Sequence, residues 1–89
     1  MGIKTTGVVM LSTGNQLRAA RGLVAMDQVT LAERSKVSAN TIRSMEGKGA
    51  SLLTSGFDTV RAVQSALEAA GVEFLNHGRP GVRLREPAP

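Results

Sequence analysis

Four residues in the middle of this 89-residue chain carry groups suited to reading a base pair: Ala39, Asn40, Arg43 and Ser44. An asparagine amide can pair bidentately with adenine and an arginine with guanine. A serine hydroxyl serves any base, and an alanine methyl can meet the methyl of thymine. At helical spacing these four share one face, while Ile42 and Met45 take the opposite, core-facing side. A second chemistry flanks them. Gln28, Lys36, Ser38, Thr41 and Lys48 offer amide, ammonium and hydroxyl donors of the kind that hold phosphate oxygens. Gln28 adds the free backbone N–H groups of a helix start.

Catalytic chemistry finds no comparable set. The chain has no cysteine, which removes thiolate nucleophiles, thiolate metal sites and disulfides together. His77 is the only histidine and has no acidic cluster near it in sequence, so it reads as a turn residue. The glycines are scattered caps and turns, not a loop that cradles phosphate. No catalytic residue, metal site or cofactor is expected.

The elements that must position these groups lie in QVTLAERSKVSANTIRSMEG, residues 28–47. Val29, Leu31, Ala32 and Ser35 supply the small or apolar face of one helical pattern, and Ile42 and Met45 that of a second. Asp27 and Ser38 stand where each should begin and are good N-caps. The break between them, Lys36-Val37-Ser38, is too short for a flexible linker. Two helices so joined must cross steeply, and the first turn of the second then faces outward, able to enter a major groove.

Around this pair the pattern predicts two further helices and a hairpin. Thr13 and Gln16 form a capping box for a first helix over residues 14–25, with Leu17, Ala20, Leu23 and Val24 on its apolar face. Gly22 inside it either permits close approach of a neighbour or is merely tolerated. Ser55 and Asp58 suggest another capping box for a helix over residues 56–70, whose apolar face runs Phe57, Val60, Val63, Leu67 and Ala70. Gly71 suits its end. Val72, Phe74, Val82 and Leu84 then alternate with Glu73, Arg83 and Arg85 about a turn-rich centre. Residues 72–86 therefore read as a β-hairpin that must pack on the helices, pair with residues 5–11, or pair with another subunit. Arg79, Arg83 and Arg85 read as keeping that sheet edge soluble. Residues 1–12 are open: 5–11 form an edge strand or a frayed terminus.

Composition sets the frame. At 42% apolar and 20% charged, the chain is expected to fold as one mostly α domain with a single modest core. Its net charge of +4 and pI near 10.8 favour a polyanionic partner. With only Phe57 and Phe74 as aromatics, both in core-like patterns, it lacks the exposed stacking platforms of single-strand binders, so duplex DNA is the better fit. No apolar run approaches a membrane span and the N-terminal segment is unlike a secretory signal, so a cytoplasmic location without membrane contact is expected.

Across residues 14–70 the chain resembles the Cro/C1-type (Xre) helix-turn-helix regulators of the phage-repressor class, in a short bacterial form. Gln28, Leu31-Ala32, Val37-Ser38, Ile42 and Glu46-Gly47 carry the resemblance without a gap, and LRAARGLVAMDQ, ALEAAGVEFL and GVRLR are similar to a group of short bacterial regulators. The resemblance implies a lambda-repressor-like bundle of about four helices (residues 13–71) followed by the hairpin. It also implies a structural ion pair between Arg21 and Glu46, with base contacts from Ala39, Asn40, Arg43 and Ser44. One departure stands at Lys36, where the family often has glycine in a left-handed turn; a side chain there costs ~1–2 kcal/mol.

The expected function is a homodimeric repressor reading a palindromic operator in double-stranded DNA. Its dimer contact would come from the fourth helix or the hairpin. The competing expectation is a protein-interaction module, an antitoxin or antiactivator that masks a protein partner. Asn40 and Arg43 discriminate, because a module that had left DNA behind need not keep them.

Overall fold

The computed structural model describes residues 10–76 and 78–85. These form four helices, α1 (Gly14–Leu23), α2 (Gln28–Ser35), α3 (Ala39–Glu46) and α4 (Phe57–Ala69). One antiparallel hairpin follows, β1 (Val72–Leu75) with β2 (Gly81–Leu84). The domain is mostly helical. His77 and, of the stretch 5–11, residues 5–9 lie outside the described residues. Met10 and Leu11, at the end of that stretch, have no strand pairing, and Leu11 is buried.

Each of the first three helices starts where a short polar side chain can take up orphan backbone donors. Thr13 Oγ1 accepts from the Gln16 N–H at 3.1 Å, and Gln16 Oε1 accepts in return from the Thr13 N–H at 3.1 Å. Asp27 accepts from the Thr30 N–H at 2.7 Å and Ser38 from the Thr41 N–H at 3.1 Å. The fourth start departs from expectation. Gly56 is the N-cap of α4 and no side chain caps it, so the predicted box at Ser55 and Asp58 does not form.

Three other expectations are corrected. α1 ends at Leu23, two residues early, because Ala25 takes a left-handed conformation (φ 52°) that turns the chain toward α2. Val29 is 59% exposed and not part of the apolar face of α2. It stands two residues from Leu31, about 200° around the helix, so burying one exposes the other. Phe57 is 66% exposed and not in the core. It is the first residue of α4, and side chains tilt toward a helix N-terminus, which carries its ring past the end of the packed face.

Leu17, Leu31, Ile42, Met45, Val63, Leu67 and Val72 are the largest apolar side chains wholly inside, one or more from every helix and one from β1. Each contributes about 1.5–3 kcal/mol relative to exposure. The close approach in this packing is at Gly14 and not at Gly22. A Cβ on Gly14 would stand 2.4 Å from the Met45 carbonyl oxygen and 2.8 Å from that of Glu46, whereas one on Gly22 would meet nothing within 4 Å. A glycine at position 14 lets the start of α1 lie directly on the end of α3.

Of the three fates open to the hairpin, packing on the helices is observed: β2 lies along α1 and β1 along α4. Glu73 pairs with Arg83 and Phe74 with Val82, which puts Val72 and Phe74 inside and the Glu73–Arg83 ion pair on the outer face. A pair of strands this short is marginal alone. Here Gln16 holds it, its Nε2 donating to the carbonyl oxygens of Leu75 and Gly81, both at 3.2 Å.

Candidate nucleic-acid interface

The geometry of the α2–α3 pair follows from three residues. Lys36 closes α2 in the left-handed region (φ 62°, ψ 28°), and its N–H and that of Val37 both bond the Ala32 carbonyl. Val37 packs against the core, and Ser38 opens α3. The strained backbone anticipated at Lys36 is present.

Around α3 the side chains separate by face. Ile42 and Met45 are buried, Asn40, Arg43 and Ser44 are exposed, and Ala39 and Thr41 are half-buried. Three of the four candidate base-reading residues are thus brought to the outer side of one short helix, with Ala39 half-buried at its start. Two of them touch: Arg43 Nη1 donates to Asn40 Oδ1 at 2.6 Å. The candidate phosphate residues Ser38 and Thr41 also touch. The Ser38 hydroxyl donates to Thr41 Oγ1 at 2.9 Å while accepting the Thr41 N–H. One hydroxyl proton is thus shared within the pair, and the other is left to donate elsewhere. Lys36 and Lys48, both exposed, stand beyond the two ends of α3 and form no ion pair with any described residue.

The far end of α3 is held by a buried carboxylate. Glu46 is only 3% exposed, and Arg21 grips both of its oxygens, Nε to Oε2 at 2.5 Å and Nη2 to Oε1 at 2.9 Å. This is the pair implied by the resemblance, in bidentate form. It extends further than the sequence disclosed. Gln28 Nε2 donates to Glu46 Oε1 at 3.1 Å, Arg21 Nη1 donates to the Met26 carbonyl at 2.9 Å, and Arg18 Nε lies 3.7 Å from Glu46 Oε1. Burial pushes the Glu46 carboxyl up, but the hydrogen bonds from Arg21 and Gln28 and the charges of Arg21 and Arg18 outweigh it. The carboxyl is held below its ordinary value of 4.5. The same hydrogen bond to Glu46 raises the Arg21 guanidinium above its ordinary value. At neutral pH both groups are charged.

No protein-family model and no curated protein matches this chain.

Gln28 is thereby fixed from two sides. It is the first residue of α2, capped by Asp27, and one of its amide hydrogens is committed to Glu46. Its oxygen and second amide hydrogen remain. The Asp27 carboxyl, lowered chiefly by the Thr30 N–H, stays ionised beside it. Sequence reasoning missed Arg18, which keeps 68% of its side chain in water while reaching toward the same carboxylate as Gln28. The signal available was its spacing: Arg18 and Arg21 are three apart and share a face of α1. Among the described residues no group of three or more acidic, histidine or cysteine side chains could hold a metal ion. No helix among them is long and apolar enough to cross a membrane.

Proposed function

We propose that this protein is a sequence-specific double-stranded-DNA-binding regulator of the Cro/C1 helix-turn-helix type, in which α2, the three-residue turn and α3 form the reading unit. One observation carries the reading. α3 buries Ile42, Met45 and Glu46 while leaving Asn40, Arg43 and Ser44 outside, and only three residues separate it from α2. A short helix so anchored presents a row of base-reading groups on a rigid support. Gln28, Thr41, Lys36 and Lys48 then set its register on phosphate, with Arg18 added beside Gln28.

One such helix spans few base pairs, so the protein works as a homodimer on a palindromic operator and represses by occupying it. Leu52 and Phe57, 70% and 66% exposed in the segment that follows α3, favour a contact between copies there.

The test is a gel shift of the whole protein on duplex DNA from upstream of its own gene, beside an Asn40→Ala/Arg43→Ala double variant. A specific shift lost in the double variant is the expected result. Binding unchanged by it would overturn the role of α3, and no specific shift at moderate salt would favour the partner-masking module instead. Salt dependence alone decides nothing, because non-specific binding has it too.

A further inference from the structure

Asn40 and Arg43 are candidates for two separate jobs, one for adenine and one for guanine, but they are bonded to each other. Arg43 Nη1 donates to the Asn40 side chain at 2.6 Å. A guanidinium has five N–H donors and no acceptor, so the atom facing it must be the amide oxygen. This fixes what Asn40 has left. To pair with adenine an asparagine must accept from the N6 amino group and donate to N7. With Oδ1 turned to Arg43, the amide is held toward the guanidinium and is not free to lay its oxygen and Nδ2 together along one adenine edge.

Arg43 offers only donors, and four of its five N–H groups stay uncommitted to the amide. No carboxylate among the described residues competes for it, since Glu46 is taken by Arg21 and Gln28. A neutral amide orients the guanidinium without neutralising it, and that ordering is already present before any DNA arrives. Guanine is the base whose major-groove edge shows two acceptors, N7 and O6; adenine shows one acceptor and one donor, and cytosine a donor.

We infer that Asn40 and Arg43 act as a single coupled unit that selects guanine, Arg43 taking N7 and O6 while Asn40 positions it. Asn40 is then a positioning residue for Arg43 and not a reader of adenine. This rests on the DNA-binding reading above and adds the identity of the base.

The experiment is selection of bound sequences from a random duplex library by the whole protein, repeated with Asn40→Ala and Arg43→Ala. Both residues are exposed, and circular dichroism verifies that the variants fold. In the wild type one guanine position is expected to be preferred about tenfold or more. Arg43→Ala should abolish that preference, and Asn40→Ala should weaken it at the same position, with no adenine position lost. The bound guanine replaced by 7-deazaguanine should lose affinity with the wild type and not with Arg43→Ala. An adenine position that relaxes in Asn40→Ala while the guanine preference stays intact would overturn the coupled unit and leave the DNA-binding reading standing. A wild type that enriches no sequence would overturn both.

Discussion

Arg21 on α1 closes a bidentate ion pair on Glu46 at the end of α3, with donor–acceptor distances of 2.5 and 2.9 Å around a carboxylate that is almost wholly buried. The pair joins the helix that begins the fold to the helix that carries the exposed polar row, and through Gln28 it reaches the start of α2 as well. Removing one partner leaves the other charged and poorly solvated. Glu46→Gln is expected to lower stability by about 3 kcal/mol, the low end for a broken buried pair. Arg21 keeps some access to water and its bond to Met26, which sets the low end. Urea denaturation of the variant beside the wild type checks it.

The same pair gives a pH dependence of known sign. Because the Glu46 carboxyl lies below 4.5 in the folded protein, the unfolded chain binds its proton first as pH falls. The stabilisation is therefore complete above 4.5 and is lost as pH drops through the lower folded value. Asp27 is depressed too and adds the same slope to the whole protein. The difference in stability between wild type and Glu46→Gln isolates Glu46, and it should shrink as pH falls below 4.5. A difference that stays constant would show that the folded and unfolded chains take up this proton equally, and one that grows as pH falls would show a neutral carboxyl in the fold.

Gly14→Ala should be among the most damaging small substitutions in the chain. The added carbon would sit inside the contact distance of two α3 carbonyls and of the Gly49 nitrogen at 2.9 Å, all of them backbone atoms that cannot swing aside. Driving α1 off α3 is expected to cost about 3 kcal/mol. Gly22→Ala, in the same helix but facing open space, should instead stabilise by about 0.5–1 kcal/mol. Thermal melts of the two variants should move in opposite directions.

Much of this architecture is legible in the sequence, for a physical reason. Thr13, Asp27 and Ser38 cap helices through bonds that reach only three residues along the chain, so residue type and spacing determine them. The hairpin is legible from alternation, and the Arg21–Glu46 pair from resemblance. What escapes is set by tertiary contact or by end effects. Gly14 looks like any helix-start glycine until α3 is laid against it. Gln64 is a polar residue of α4 that the sequence reading passed over, yet it is buried and its Oε1 accepts the Leu11 N–H at 2.8 Å from fifty-three positions away. Phe57 fits the apolar stripe by number but stands one turn too early to be covered. Ala25 carries no mark of its left-handed backbone, whereas Lys36 was marked by the resemblance, in which glycine often stands at that turn. The roles proposed for Asn40 and Arg43 follow from type and spacing, but their bond to each other follows only from the geometry of α3.

Lys36 should separate stability from binding. Its backbone is left-handed, where glycine is at no disadvantage, so Lys36→Gly relieves roughly 1 kcal/mol of conformational cost. On the proposed reading it also removes a cation beside the DNA. The variant should melt higher and bind duplex DNA more weakly, with a shallower salt dependence by about one counterion. Ala25→Gly, at φ 52° and distant in sequence from α3, should melt higher with DNA affinity unchanged. Equal affinities for Lys36→Gly and wild type would remove Lys36 from the phosphate contacts.

Gln16 carries the last prediction, because one side chain there serves two elements. Its Oε1 accepts from the Ser12 and Thr13 N–H groups at 2.7 and 3.1 Å, completing the cap of α1. Its Nε2 donates to Leu75 and Gly81, the two residues that flank the hairpin turn. Gln16→Leu keeps the volume and loses all four bonds, stranding two donors and two acceptors in a buried place. At 0.5–1.5 kcal/mol for each bond the loss is roughly 3 kcal/mol. It should fall unevenly. α2 and α3 make no bond to Gln16, so amide exchange should accelerate most in β1, β2 and the first turn of α1 while Ile42 and Met45 keep their protection relative to one another. Uniform acceleration through α3 would mean that the hairpin is no separate unit and that its docking onto α1 is needed to hold the α2–α3 pair in place.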